Sequence, residues 1–295
     1  MEGVIAVLKP PGLTSSDVVT DIRRICGIKR IGHAGTLDPG AAGVLLICVG
    51  RATRLFDYIV DRNKTYLAEI TFGAETDTQD SYGKVIEKSE KVVTPDMLKT
   101  VLKDFEGEIE QVVPIYSAAN QNGVKLYKLA RAGKPIDEKR RKVTILSLDY
   151  ISQIGENRFL IKICCTKGTY IRTLCSDIGR ALGAFAHMSF LLRTASGNID
   201  LNSTYSIEEL RTLSEQGRLF EAIIPCEDAL SHLKKVNVGD DQKTRTRLLN
   251  GLMHRCRCGD SEAVRVYCGD EFIGIGAIRH SELKLKLTLC GVRDE

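Results

Sequence analysis

One carboxylate and one imidazole stand among small residues and a proline in the run Gly32-His33-Ala34-Gly35-Thr36-Leu37-Asp38-Pro39-Gly40-Ala41-Ala42-Gly43. The apolar run Val44-Leu45-Leu46-Ile47-Cys48-Val49 follows at once. Glycine permits backbone angles and close approaches that a side chain forbids. A short apolar run between Gly43 and Gly50 has the form of a buried strand. Asp38 is therefore expected on a tight loop feeding a core strand, its carboxylate fixed and open to a ligand. An ionised carboxylate so placed can act as a nucleophile or as a base. Asp-Pro is also a common turn pair whose side chain bonds its own backbone, so residue types alone do not choose between these uses.

Such a loop needs a scaffold, and hydrophobic periodicity outlines one. A strand near residues 3–8 ends at Lys9-Pro10-Pro11-Gly12. Thr14 to Asp17 then offers helix caps, Val18, Ile22 and Ile25 follow at helical spacing, and Gly27 closes the helix. Residues 52–59 read as a short helix. Residues 63–73 alternate as a strand, with Tyr66, Ala68, Ile70 and Phe72 on one face. Thr94-Pro95-Asp96 starts a helix with cap, proline and early acid. Residues 113–142 lack an apolar period and read as an exposed excursion with one short helix near 126–131. Strands near 143–152 and 157–165 precede a helix opened by Gly168-Thr169, and Ser206 to Glu209 forms a capping box. Beyond about residue 230, short strands punctuated by Gly259, Gly269, Gly274 and Gly276 suggest a small β-barrel-like unit.

The chain has 295 residues, 43% hydrophobic and 27% charged, which suits one sizeable core plus a smaller second unit. A net charge of +4 is too small to establish nucleic-acid binding by itself. Its distribution says more. Between residues 125 and 142, Lys125, Lys128, Arg131, Lys134, Lys139, Arg140, Arg141 and Lys142 stand against Asp137 and Glu138 only. That block suits a phosphate backbone, and equally a solvated face. The ten cysteines follow no secretory pattern, and no apolar stretch approaches the length of a membrane span. Reduced thiols, a cytoplasmic location and no membrane partner are the expectation. His254-x-Cys256-x-Cys258 with Cys268 lacks zinc-knuckle spacing, and its alternation puts three groups on one strand face; packing, with no metal, is expected there.

The string Gly-His-Ala-Gly-Thr-Leu-Asp-Pro-x-Ala-x-Gly-Val-Leu resembles the catalytic motif of the bacterial tRNA pseudouridine-55 synthases, members of the B-type pseudouridine synthase family. Further blocks resemble that family in order. They are Lys9-Pro10-x-Gly12-x-Thr14-Ser15, Lys64-x-Tyr66, and Gly73 to Gly83 with Thr76-Asp77-Thr78-x-Asp80. Then come Tyr116-Ser117-Ala118, Gly123-x-x-Leu126-Tyr127-x-x-Ala130-Arg131-x-Gly133, Gly168-Thr169-Tyr170-Ile171-Arg172-Thr173-Leu174 and Leu191-Leu192-Arg193-Thr194. Val113-Pro114-Ile115 and Asn120 depart from the family's pattern around Tyr116. The C-terminal segment resembles the PUA module, an RNA-binding barrel.

The resemblance, with the order of strands and helices, implies an α+β fold: a mixed, largely antiparallel sheet flanked by helices over residues 1–230, with an RNA-gripping insertion at about 113–142. Residues 231–295 would form the PUA-like unit. The implied activity is isomerisation of uridine 55 in the T loop of tRNA, with the base flipped from its stack and no cofactor. Asp38 is implied as the catalytic residue. Burial beside apolar walls would push it toward neutrality, so a cation is needed; Arg172 is the implied partner. Tyr66 is implied to pack on the base, with its phenol helping to remove the C5 proton. His33, Tyr170, Leu191, Lys64, Asp77 and Lys9 are implied substrate-binding residues. Lys125, Lys128, Arg131, Lys139, Arg140, Arg141 and Lys142 are implied contacts to the RNA backbone. The T stem-loop is the expected partner, with a monomer and no obligatory protein partner. The alternative from another class is a non-catalytic tRNA-binding or folding protein using the same surfaces. A phosphate-cradling nucleotide hydrolase fits poorly, because the Gly-rich loop lacks a Gly-Lys-Ser/Thr ending.

Overall fold

The computed structural model describes residues 1–289. The chain enters through β1 (Gly3–Lys9) and turns into α1 (Ser15–Cys26). The Thr14 hydroxyl accepts from the Asp17 amide, the Asp17 carboxylate accepts from the Thr14 amide, and left-handed Gly27 ends the helix. β2 (Ile31–Ala34) and β3 (Ala42–Val49) flank the Asp38 loop. A 3₁₀ turn over Gly50–Leu55 leads into α2 (Phe56–Val60), so the helix expected over 52–59 starts in the tighter form common at helix N-termini. β4 (Lys64–Phe72) buries Tyr66, Ala68, Ile70 and Phe72, as its alternation predicts.

β5 (Ala74–Thr76) and β6 (Val85–Lys88) pair across the polar loop, followed by α3 (Pro95–Leu102) and β7 (Gly107–Val112). The excursion holds the hairpin of β8 (Asn120–Gln121) and β9 (Val124–Lys125), then α4 (Leu126–Arg131). It ends earlier than the sequence suggests, because β10 (Arg140–Gly155) already pairs with β7 from Arg140. Charged residues suit an outer strand pair, where they stay in water and pair across the ladder. β11 (Arg158–Cys165), α5 (Ile171–Ala181), β12 (Ala186–Ser196), β13 (Ile199–Asp200), α6 (Ile207–Glu215) and α7 (Cys226–Ala229) complete this part.

The larger sheet runs β1-β3-β12-β4-β11-β10-β7, with β2 added on β3 and β13 on β12. It is antiparallel except where β12 runs parallel to β3. Its first face packs Ile5, Val7, Leu45 and Ile47 against Val18 and Ile22 of α1 and Leu174 and Ile178 of α5. Its second face packs Val4, Ala6, Leu46 and Cys48 against Ala229, Leu230, Ile275 and Leu289. Both faces of β3 are therefore covered, which is why its sequence is apolar without a break.

The second sheet is built from β14 (Lys234–Asn237), β15 (His254–Arg255), β16 (Ser261–Cys268), β17 (Glu271–Arg279) and β18 (Glu282–Thr288), in the order β14-β16-β17-β18-β15, with α8 (Gln242–Leu249) beside it. It curls around its own core of Val264, Val266, Ile273 and Leu283. Cys256 and Cys258 pack against that core.

The crossing of β3 and β12 depends on Gly43. Its φ is +110°, and a Cβ there would lie 2.1 Å from the Arg193 carbonyl oxygen. Gly43→Ala is expected to destabilise by about 2–4 kcal/mol, combining left-handed strain with overpacking. The thermal midpoint should fall by about 5–10 °C. Gly27→Ala, with open space around its Cβ, should cost only about 1 kcal/mol. Equal shifts in calorimetry would show that the strand crossing tolerates a side chain.

Candidate active site

A cleft of about 340 Å³ opens where the loop before β3, the start of β4, the segment after β7 and the N-terminus of α5 meet. Its floor is Asp38, with Tyr66, Leu191 and Tyr170 among the walls. The size suits a small organic group held in a concave site.

The Asp38 loop is tethered from below. The Lys9 ammonium is fully buried and donates to the carbonyls of Pro10 at 2.9 Å, Pro39 at 3.2 Å and Ala41 at 2.7 Å. Ser15 closes a two-way contact with Leu37, its hydroxyl accepting from the amide at 2.9 Å and donating to the carbonyl at 3.0 Å. Arg193, 1% exposed, donates to the carbonyls of Val44 at 2.7 Å and Gly35 at 3.1 Å. Three side chains from different elements thus fix the loop that carries one carboxylate. Burial pushes the Lys9 ammonium down to about 8.

Arg172 lies in the first turn of α5 and is buried. Its Nε is 2.9 Å from Asp38 Oδ2, and Nη2 reaches Asp38 Oδ1 at 3.4 Å. Nη2 also donates to the Tyr116 carbonyl at 2.9 Å, and Nη1 to the Thr78 carbonyl at 3.1 Å. Asp80 Oδ2 stands 3.5 Å from Nη1. The guanidinium is therefore gripped on three sides and presents its remaining edge to Asp38, an arrangement that uses the planar fork of arginine.

The Asp38 carboxylate is pulled in opposite directions. Burial at the cleft floor raises its affinity for a proton and the nearby Asp80 charge adds to this, while Arg172 and Lys9 act against it. The burial effect is the larger, so the carboxyl sits above its ordinary value. Burial also pushes the Tyr66 phenol up. A phenol raised in this way stays protonated at neutral pH, which suits a packing surface or hydrogen-bond donor better than a proton-abstracting phenolate.

The structure gathers Asp38, Arg172, Tyr66, Tyr170, Leu191 and Lys64 around the cleft. Lys64 is buried and its ammonium donates to the Val60 and Arg62 carbonyls, the second at 2.5 Å. Three other expected substrate contacts lie elsewhere. Lys9 lies beneath the loop, with its donors committed to carbonyls. Asp77 turns to its own hairpin, where Oδ1 accepts from the Lys84 amide at 2.8 Å. His33 lines a second groove with Val19, Arg23 and Phe56; burial and Arg193 lower its pKa.

The basic block divides by strand alternation. Arg140 pairs with Glu110 at 3.4 Å and with Glu138 at 2.8 Å, and Lys142 with Glu108 at 2.8 Å. Between them Arg141 lines the cleft. Lys125 and Lys139 donate to the Ala118 and Asn120 carbonyls. Lys128 is exposed on α4. The side chain of Arg131 lies outside the described residues.

Three positioning residues escape the sequence reading. Asp80 accepts from the Thr78 hydroxyl at 2.6 Å and the Tyr82 amide at 3.0 Å, and so holds the loop that grips Arg172. Gln111, fully buried, brackets Tyr170 by accepting from its amide at 3.0 Å and donating to its carbonyl at 3.2 Å. Arg193 is the third. Asp80 and Arg193 sit inside the motifs at residues 73–83 and 191–194, but only long-range contacts separate their work from that of Asp77 and Leu191.

Two family models match the chain. The TruB family pseudouridylate synthase N-terminal domain spans residues 23–171, and the tRNA pseudouridylate synthase B C-terminal domain spans residues 172–231. The chain is 40% identical over 289 residues to tRNA pseudouridine synthase B of Alkaliphilus oremlandii, covering 96% of this chain and 95% of that protein. It is 45% identical over 244 residues to the protein of that name in Bacillus licheniformis, covering 81% and 79%. Among solved structures, a Cbf5–Nop10–Gar1 complex contains a chain that aligns with a TM-score of 0.73 at 28% identity, over 93% of this chain and 78% of that one. A chain of an archaeal box H/ACA Nop10–Cbf5 complex aligns with a TM-score of 0.72 at 25% identity, over 97% and 85%. Sequence, fold and the gathered side chains agree: the chain belongs to the TruB family of pseudouridylate synthases and is an isomerase.

Proposed function

We propose that this protein converts uridine 55 in the T loop of tRNA to pseudouridine, with Asp38 as the reacting carboxylate. The observation that carries the reading is the Asp38–Arg172 pair at 2.9 Å, set at the floor of a cleft walled by Tyr66 and Leu191. The names of the relatives support tRNA as the substrate.

The reaction breaks the C1′–N1 bond, turns the uracil and forms a C5–C1′ bond. The C5 hydrogen then leaves and N1 takes a proton. No electron is gained or lost, so the chain's own side chains can supply the chemistry. Two routes start from the same ionised Asp38, one by attack at C1′ and one by removal of the C2′ proton. Arg172 keeps that carboxylate charged and aimed. Tyr66 packs on the base, while Leu191 and Tyr170 close the walls. A base stacked in a loop must leave its stack to enter, at a cost of a few kcal/mol offset by pocket and phosphate contacts. Arg141, at the mouth, is the basic residue best placed for such a phosphate. The curled C-terminal sheet, β14 to β18, is taken as the PUA-like RNA-binding unit expected over residues 231–295, of which 290–295 lie outside the described residues, and the chain as a cytoplasmic monomer that needs no partner protein.

Asp38→Asn should abolish turnover of a tRNA transcript while leaving tRNA affinity within about 2-fold, since only the reactive charge changes. Pseudouridine formed near the wild-type rate would remove Asp38 from its role, and loss of product from the wild type itself would favour a purely RNA-binding protein.

Arg172→Lys loses the fork that fixes Asp38 and should lower kcat by about 10- to 100-fold, the worth of a charge-assisted hydrogen bond. A change confined to KM would contradict this.

Arg141→Ala should weaken tRNA binding and flatten its logarithmic salt dependence by about one unit, as for one lost phosphate contact. Lys142→Ala, whose charge already faces Glu108, should do less. The reverse order in a salt titration would place the RNA on the other face of β10.

A further inference from the structure

The turn between α2 and β4 touches the cleft at several points. Val60 and Lys64 line it, and the Lys64 ammonium reaches back to the Val60 and Arg62 carbonyls. Asp61 pairs at 2.9 Å with Lys167, another lining residue. The intervening Arg62 side chain runs toward a different part of the molecule.

Arg62 is 6% exposed. Its Nη2 donates to the Ala229 carbonyl, Nη1 to Asn198 Oδ1 at 2.9 Å, and Nε to His232 Nδ1 at 3.2 Å. Ala229 and His232 lie just before β14, where the C-terminal sheet begins. The passage for the side chain is shaped to it: a Cβ on Gly197, whose φ is +63°, would lie 2.5 Å from Arg62 Cδ. Among the described residues no carboxylate forms an ion pair with Arg62. Its charge is met by a carbonyl, an amide and an imidazole. A buried cation without a counter-ion is costly, and an apolar residue of similar length would fill the same passage. The donor fork is what such a residue would not supply.

Two attachments thus meet in one short turn. The backbone of the turn holds Lys64 in the cleft wall, and its side chain grips the start of the C-terminal sheet. We propose that Arg62 is a positioning residue for the isomerase site, setting the Lys64 side of the cleft according to how the segment 229–232 is docked. This inference rests on the cleft being the site of uridine isomerisation.

The test compares wild type with Arg62→Met, His232→Ala and the double variant on a tRNA transcript. Arg62→Met keeps the length of the side chain and removes its donors. It should lower kcat by about 5- to 30-fold, the upper part of the range for mutations that act through a packed network, with KM changed less than 2-fold. His232 is exposed at its outer side, so its removal should leave the fold intact and lower kcat by about 2- to 5-fold. The double variant should be at most about 2-fold slower than Arg62→Met, because His232 shares its contact with Arg62 and adds to it a hydrogen bond with the Tyr58 backbone. Trypsin cleavage at Lys234 or Lys235 should accelerate in the same order as kcat falls. Unchanged kcat with faster cleavage would make the contact structural only. A rise confined to KM would make Arg62 an RNA contact, and additive losses would uncouple it from His232. Should Arg62→Met fail to fold, His232→Ala decides through its own split of kcat against KM. A wild type that forms no pseudouridine would overturn the assigned reaction, whereas an active wild type with unaffected variants would overturn this inference alone.

Discussion

A carboxylate at the floor of a protein cleft tends to become neutral, and the proposed chemistry requires that Asp38 does not. Arg172 supplies the opposing charge. The effectiveness of that charge depends on placement, because a guanidinium a few ångström farther away would act through a much weaker field. The surrounding fold fixes both partners. Asp38 rides on a loop tied down by Lys9, Ser15 and Arg193, and Arg172 is locked by the carbonyls of Thr78 and Tyr116 and by Asp80. An ion pair between two flexible side chains at a surface would lose most of its worth to entropy and solvent. Here the freedom is removed before any substrate arrives, which is the condition for electrostatic preorganisation.

The same economy explains the buried cations. Lys9, Lys64 and Arg193 are all buried, and each directs donors at backbone carbonyls. Loops around an active site leave carbonyls without ladder partners, and each such buried group needs a donor. Long cationic side chains reach several at once. Lys64 and Arg193 line the cleft with Arg141, Lys167 and Arg172, against Asp38, a balance suited to a polyanionic substrate.

Much of this was legible in the sequence because local rules and global structure agree. The alternation of 63–73, the caps at Thr14, Thr94 and Ser206, and the two-faced apolar run of β3 depend on neighbours in the chain, and they appear as expected. The Asp38 loop could be read from its glycines and proline. Asp77 and Asp80 could not be told apart, since both are carboxylates in one polar loop. Only the approach of α5 from nearly a hundred residues away makes Asp80 the one that meets Arg172. Lys9 looked like a ligand-binding lysine for a similar reason: its burial is set by the loop that folds over it. The basic block misled in part, because strand pairing with Glu108 and Glu110 of β7 neutralises alternate charges that a linear count leaves free.

The central claim is that the Arg172 guanidinium holds Asp38 ionised against the pull of burial. Carbon-13 NMR titration of the Asp38 carboxyl, in the wild type and in Arg172→Gln, measures this directly. Burial raises the wild-type midpoint, and the group is nonetheless expected to be charged at neutral pH. The charge should then be lost as pH falls through that raised midpoint. Removing the guanidinium should move the midpoint higher still. A wild-type carboxyl that is protonated at neutral pH, or a midpoint that stays in place when Arg172 is replaced, would contradict the account.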